Sequence, residues 1–561
     1  MIAIAIRNQE NIKGLTIDGL ETKLLQFADD TTAVLSDLDS ARALFGLLER
    51  FEKASGLKLN VAKTEAMWIG SLQNCENEPL GVKWKTCVKF LGIYITYDVQ
   101  ILVEKNFKKR LKKIKNTINL WKSRGLSIHG KVNIIKTLLF PTMIYPSSVI
   151  CTPFEVIKEF NSLVFRFLWN GNDKVIRLST YAPYDQGGLK MLDYESMVKA
   201  LRLSWLKRIV DPDYSGFWKS YLVHLLVYEG GLFLIQCNYD INPLTISAIF
   251  YRELLEWWSK LREVEDPENT YKYILWNNRD IKIDGKSVFY KRFFDNNIIY
   301  TNHLLYDMTN IESFNVVKVT GLKNSNFLVW TGLRQSVPLK LRFHMPDVEN
   351  IFDLENFKCR DYYHYLIKQK YEKPNKWAKL REEFDLDDKQ LSEAFVMPLR
   401  AANEPYLRSF QYKVLNSILY TNELLCKIGY ASNPNCSFCH HTIETISHIF
   451  FDCSFSTSFW NEVCDKILNK LNSCVGLSLE SLKYCEIILG FLEEEMDLQN
   501  YILILGKMYL WTCRCKETKP SFSHFKRIVL NKYQTERQIS FKSNKTNSFR
   551  KKWRMFEETI L

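Results

Sequence analysis

The chain has 561 residues, a formal net charge of +13 and a pI near 8.9. Hydrophobic residues make up 46% and aromatic residues 14%, which excludes wholesale disorder and suits several packed domains. The positive balance favours a polyanionic partner over an acidic or neutral one. Fourteen cysteines are scattered along the chain, and its start lacks the layout of a secretory leader. That pattern reads as reduced thiols in an intracellular protein of the nucleus or cytoplasm, not as a disulfide scaffold. No run of eighteen apolar residues occurs, and the nearest, Tyr221 to Cys237, is interrupted by His224 and Glu229. No membrane partner is expected.

Met1 to Ile6 reads as the end of a helix. Lys23 to Leu35 then carries two apolar, β-prone halves around Phe27-Ala28-Asp29-Asp30. This predicts two strands joined by a tight turn, with paired carboxylates at the tip. Adjacent carboxylates in an apolar segment need a cation, and Mg²⁺ takes one or two carboxylates together with substrate phosphates. Asp37 to Ala54 reads as an amphipathic helix, capped by Asp37 or Asp39 and ended by Gly56. Ser55-Gly56-Leu57-Lys58-Leu59-Asn60 and Lys63-Thr64-Glu65 follow. A second apolar hairpin comes at Val88 to Ile95, around Phe90-Leu91-Gly92.

In this order the segments resemble the palm of a reverse transcriptase of the non-LTR, LINE-type retrotransposons. The family's Tyr/Phe-x-Asp-Asp motif matches Phe27 to Asp30. Its Gly-Leu-x-x-Asn-x-x-Lys-Thr motif matches Gly56, Leu57, Asn60, Lys63 and Thr64, and its primer-grip hairpin matches Phe90-Leu91-Gly92. The resemblance implies RNA-templated DNA synthesis with Mg²⁺. Asp29 would hold the metal, Asp30 would assist, and Lys63 would lie near the nucleotide phosphates. It also implies a further Asp on an upstream palm strand, with fingers ahead of it. Only 26 residues precede Phe27, and their acids are Glu10, Asp18 and Glu21. The chain therefore reads as beginning in mid-palm. The expected function is a fragment of an RNA-directed DNA polymerase, inactive alone. The alternative is a non-catalytic, zinc-containing nucleic-acid-binding remnant.

Glu104 to Arg124 is strongly basic, with Lys105, Lys108, Lys109, Arg110, Lys112 and Lys113 around an apolar stripe of Leu111, Ile114, Ile118 and Trp121. It reads as an amphipathic helix, either a thumb that tracks phosphates or a solvated charged face. Phe167 to Gly171, Tyr184 to Met191 and the helical run Val198 to Leu206 resemble the region downstream of the thumb and carry no chemistry. Residues 240–395 read as a mostly helical connection whose Trp257, Trp258 and Trp276 are core residues.

Near the end stands Cys436-x2-Cys439-x8-His448-x4-Cys453. Three thiolates and an imidazole at such spacing suit a closed, tetrahedral, structural Zn²⁺ site. His440 and His441 are rival ligands, disfavoured because they directly follow Cys439. The cluster also resembles the zinc-binding domain near the C-terminus of the same retrotransposon proteins. After an apolar helix from Tyr501 to Cys513 the chain turns basic, ending in Arg550, Lys551 and Lys552 with Phe549 and Trp553 interleaved. This pattern suits unpaired RNA or DNA, with a pair of soluble surface helices as the alternative. The expected fold class is α+β: palm hairpins, a helical thumb and connection, and a small zinc domain. The expected boundaries are 1–98 palm, 99–170 thumb, 171–395 connection, 396–475 zinc domain and 476–561 tail.

Overall fold

Alternating apolar residues around short turns produce four antiparallel strands at the start of the chain. Leu15–Ile17 (β1) pairs with Leu20–Thr22 (β2), and Leu24–Phe27 (β3) pairs with Asp30–Ala33 (β4). A computed structural model describes the chain except residues 1, 18, 29, 243, 245, 266–269, 306–325, 342–356, 474–479, 494, 545 and 561, and the side chains of 263–265, 270, 271, 305, 473 and 548. The described residues form two packed units. The first comprises Met1–Lys112, Met143–Ile157 and Glu195–Leu366, and the second Lys113–Thr142, Lys158–Tyr194 and Ile367–Leu561. The fold is α+β, and among the described residues every sheet has two strands.

In the first unit, helix Leu38–Ser55 follows the hairpins. The Asp37 carboxylate accepts from the Ser40 backbone N–H at 2.7 Å, and Gly56 closes the helix in the left-handed region at φ 72°. Leu44 of this helix packs with Ile6, Ile12 and Leu24 in a small core. A parallel pair, Glu65–Ala66 (β5) with Lys83–Trp84 (β6), precedes the second antiparallel hairpin, Val88–Phe90 (β7) with Ile93–Ile95 (β8). Further along, helix Tyr194–Leu203 buries Arg202 completely. Its guanidinium lies 3.5 Å from the Phe250 ring centroid, donates to the carbonyl of Ile150 at 3.2 Å and pairs with Glu253 at 3.4 Å. Trp258 and Trp276 are core residues as expected, while the neighbouring Trp257 is only half-buried. Trp258 and Trp276 each donate an indole N–H to a backbone carbonyl, Ile235 and Ile298 respectively. Part of the expected connection, residues 306–325 and 342–356, lies outside the described residues.

The basic run forms a nearly continuous helix over Val99–Val103, Glu104–Lys108 and Lys109–Lys122, the middle stretch a widened turn. Phe107, Leu111, Ile114 and Ile118 are buried along one side, while Lys109, Lys112 and Lys113 are exposed on the other. Leu111, Ile114 and Ile118 are the stripe that the helical period predicts.

The second unit is helical, and one large apolar core runs through it from Trp377 to Phe556. At its centre is helix Asp497–Cys515, buried along most of its length because apolar residues recur on every face. Trp460 packs so closely on this helix that a Cβ at Gly506 would lie 2.5 Å from its ring. Gly188 is constrained in the same way, since a Cβ there would meet the carbonyl oxygen of Ala182 at 2.0 Å. The turn Tyr184 to Met191 can fold back on Thr180 only with glycine at that point.

The same central helix carries Lys507, fully buried, which donates to the carbonyl of Ile488 at 3.2 Å. Burial pushes its ammonium down to about 7. Between that value and the ordinary lysine range the unfolded chain binds a proton that the folded chain does not. Stability from this group therefore rises as pH rises above about 7. Lys507→Met is expected to raise the thermal midpoint at pH 7 by an amount worth about 2 kcal/mol. The gap to wild type should narrow by pH 9, which calorimetry at the two pH values measures.

Candidate metal centre and basic surfaces

The metal site is built from a hairpin and a widened helical turn. Pro434-Asn435 starts the hairpin, Asn435 bridges to Ile443, and the Cys436 N–H donates to the Thr442 carbonyl at 2.7 Å. The chain reverses after Cys439, where the His440 N–H donates to the Cys436 carbonyl at 2.9 Å and His440 takes φ 62°. Both His440 and His441 point to solvent. His448 opens a turn in which the Cys453 N–H donates to the His448 carbonyl, five residues back, at 2.8 Å. An ordinary α-turn would spread positions five apart around the helix, and the wider turn brings them towards one side.

The ligand atoms of Cys436, Cys439, His448 and Cys453 all lie within 4.8 Å of one another. The Cys436 and Cys453 sulfurs are 3.9 Å apart, and the Cys439 sulfur is 3.4 Å from His448 Nε2. Tetrahedral zinc at ordinary Zn–S lengths separates its sulfur ligands by about 3.8 Å, so the donor set and spacing both fit Zn²⁺. The Cys436 thiol donates to Cys453, which pushes Cys436 up and draws Cys453 down.

A buried carboxylate ties this hairpin to the core. Glu444 is fully buried and accepts from the Ser437 backbone N–H at 2.9 Å, the Ser437 hydroxyl at 2.8 Å and the Asn422 backbone N–H at 2.8 Å. Arg514, near the end of the central helix, pairs with it at 2.9 Å and also donates to Asn422. Asn422 in turn donates to the Asn435 carbonyl at 2.8 Å. Sequence reading missed all three residues. Arg514 counts there as one more basic residue of the tail, and no spacing signal connects it to Glu444.

Segment 387–460 matches the family described as zinc-binding in reverse transcriptase. Over 247 residues the chain is 24% identical to the transposon TX1 uncharacterized 149 kDa protein of Xenopus laevis, covering 42% of this chain and 19% of that protein. Together these matches support a reverse-transcriptase-related retrotransposon protein. A second similarity, 27% over 145 residues, is to phosphoprotein 85 of human herpesvirus 6B (strain Z29), covering 25% of this chain and 23% of that protein. The chain spans about a fifth of the length of these curated relatives.

The other sequence-predicted residues fall on two further surfaces. In the first unit Phe27 stands opposite Asp30 across β3 and β4, Ala28 takes φ 51°, and Asp30 is exposed. Asp29 lies outside the described residues. Lys63 is exposed at the end of the short helical turn Val61–Lys63, which the Asn60 side chain caps by accepting from the Lys63 N–H. Among the described residues no group of three metal-ligating side chains includes Asp30. Glu21, an upstream acid on β2, is engaged elsewhere: it accepts from the Gly14 N–H at 2.7 Å and pairs with Lys23 at 3.4 Å. The Gly14 bond holds its carboxyl below the usual range. The ammonium groups of Lys89, Lys105 and Lys109 lie 5.8, 5.8 and 5.9 Å from the Tyr94 ring centroid on β8. Arg110 donates to the Gly92 carbonyl at 3.4 Å.

In the tail, helices Phe522–Lys542 and Thr546–Thr559 form a hairpin that buries Trp553. Arg550 and Lys551 are exposed. Lys552 pairs with Glu536 at 2.9 Å and lies 3.6 Å from the Tyr501 ring centroid. Among the described residues no helix is long and apolar enough to cross a membrane.

Purified protein is expected to carry one zinc per chain, and Cys439→Ser should abolish tight binding. Arg514→Met is expected to weaken zinc about ten- to hundredfold, because groups behind a metal site orient its ligands. Chelator competition monitored by a chromogenic zinc indicator measures both effects.

Proposed function

We propose that this polypeptide is part of an RNA-directed DNA polymerase of a LINE-type retrotransposon, and that its 561 residues alone bind nucleic acid without extending a primer. The observation that carries the reading is the four-residue zinc cluster inside a segment of reverse-transcriptase zinc-binding type. The Phe27-Ala28-Asp29-Asp30 hairpin, ahead of a basic amphipathic helix, supports the polymerase part. Zinc would be structural: Cys436, Cys439, His448 and Cys453 supply four ligands and leave no position for water. Mg²⁺ would be held by Asp29 and Asp30 once a further palm carboxylate is supplied. The described residues gather no such cluster around Asp30.

The β3–β4 hairpin supports the idea of an incomplete palm. Phe27 is 68% exposed and Leu25 41% exposed. A two-stranded hairpin with apolar side chains in water is marginal until further strands or helices cover it. The nucleic-acid contacts would come from Lys105, Lys108, Lys109, Arg110, Lys112 and Lys113 on the thumb-like helix, and from Arg550, Lys551 and Lys552 in the tail. Lys552 would contribute least, since Glu536 already neutralises it.

On a primed RNA template with Mg²⁺ and nucleotides, wild-type protein and Asp29→Ala should give the same background. Extension by wild type above that variant overturns the inactive reading. Arg550→Gln with Lys551→Gln should flatten the salt dependence of single-stranded RNA binding by about 1.4 in slope, read by fluorescence anisotropy.

A further inference from the structure

We propose that a wall of four lysines in the second unit, Lys122, Lys131, Lys174 and Lys413, binds the phosphates of a single-stranded nucleic acid, with Tyr420 beside it as a surface for a base. This extends the nucleic-acid reading above and depends on it. The four come from separate parts of the chain: the end of helix Lys109–Lys122, the segment Ile128–Ile134, the connection after Trp169, and helix Pro405–Leu415. No sequence motif joins them.

Lys131 is the unusual member. It is only 6% exposed, yet its ammonium donates to two neutral acceptors, Asn170 Oδ1 at 2.7 Å and the Leu168 carbonyl at 3.3 Å. Among the described residues none of the four lysines forms an ion pair with a carboxylate. Asp173, beside Lys174 in sequence, is taken by Arg177 at 2.7 Å. A charge this buried is ordinarily paired, and here its charged neighbours are like charges. Burial first, then repulsion from Lys413, Lys174 and Lys122, pushes Lys131 down to about 8. Lys413 is lowered likewise by burial and then by Lys174. An anion against the wall would relieve that repulsion and supply the missing counter-charge.

The adjoining ring argues for a nucleic acid over a lone phosphate. Lys174 Nζ lies 4.3 Å from the Tyr420 ring centroid, and Tyr420 is 44% exposed. Cations that follow a backbone beside an exposed aromatic face are what an unpaired strand uses, one for its phosphates and the other for its bases.

The test is binding of a short, labelled single-stranded RNA to the full chain over a salt series. Each phosphate contact on a single strand contributes about 0.7 to the slope of log affinity against log salt. The triple variant Lys122→Gln, Lys174→Gln, Lys413→Gln should therefore lose about 2 in slope. Lys131 is left intact to spare the core. Tyr420→Ala should weaken binding about fivefold or more with the slope unchanged. A wild type that binds with a steep slope, matched by the triple variant, overturns this site alone. A wild type with no salt-dependent binding overturns the nucleic-acid reading as well. Displacement of RNA by inorganic phosphate at constant ionic strength would mark a site for free phosphate and overturn the assignment. If the triple variant loses its zinc or its thermal midpoint, crosslinking of thiouridine-containing RNA to wild type decides instead. Crosslinked peptides around Tyr420 or Lys174 support the site, and their absence among recovered crosslinks overturns it.

Discussion

The Glu444 carboxylate is the point on which the metal hairpin depends. A fully buried carboxylate is stable only when its lone pairs are met, and here two backbone amides, a hydroxyl and a guanidinium meet them. Three of those donors orient the hairpin between Asn422 and Ser437. The fourth, Arg514, belongs to the central helix. The candidate ligand hairpin is thus coupled to a residue far outside the segment of zinc-binding type, which ends at 460. The close seating of Trp460 against Gly506 adds a second contact between that segment and the same helix, so the zinc domain and the helices behind it share one core.

Charge in this protein divides by the same rule. Arg202, Arg514, Lys532 and Lys552 are held by carboxylates inside their units, and their positive charge is largely cancelled there. Lys109, Lys112, Lys113, Arg550 and Lys551 face water. The cations that face water without an opposing carboxylate are the ones that can attract a polyanion, because a phosphate gains little from a group already neutralised. A net charge of +13 describes the sum and is blind to this division.

The early hairpins show the opposite situation, in which local order exceeds tertiary support. Their registers are set by alternation and by the tight turn before Asp30, yet several of their apolar side chains remain exposed. Strand pairing needs only neighbours in sequence. Burial needs a covering layer, and the described residues provide little of one for Leu25 and Phe27.

Much of the candidate chemistry was legible from local spacing. The Cys-x2-Cys-x8-His-x4-Cys pattern, the cap at Asp37, the left-handed stop at Gly56 and the hairpins around Phe27 and Phe90 all involve partners within a few turns of chain. Period and spacing report such partners directly. The widened turn at His448 was less legible, since five-residue spacing alone does not say which way a helix bends. What only the tertiary structure decided involves partners 70 or more residues apart: Glu444 with Arg514, and Lys131 with Lys413. Lys552 and Glu536, only 16 residues apart, were also hidden, because they meet across two helices and not along one. A sequence lists charges and apolar residues by position, but pairing and burial are set by which faces meet. That is why the four candidate metal ligands could be named in advance, while the carboxylate and the guanidinium behind them could not.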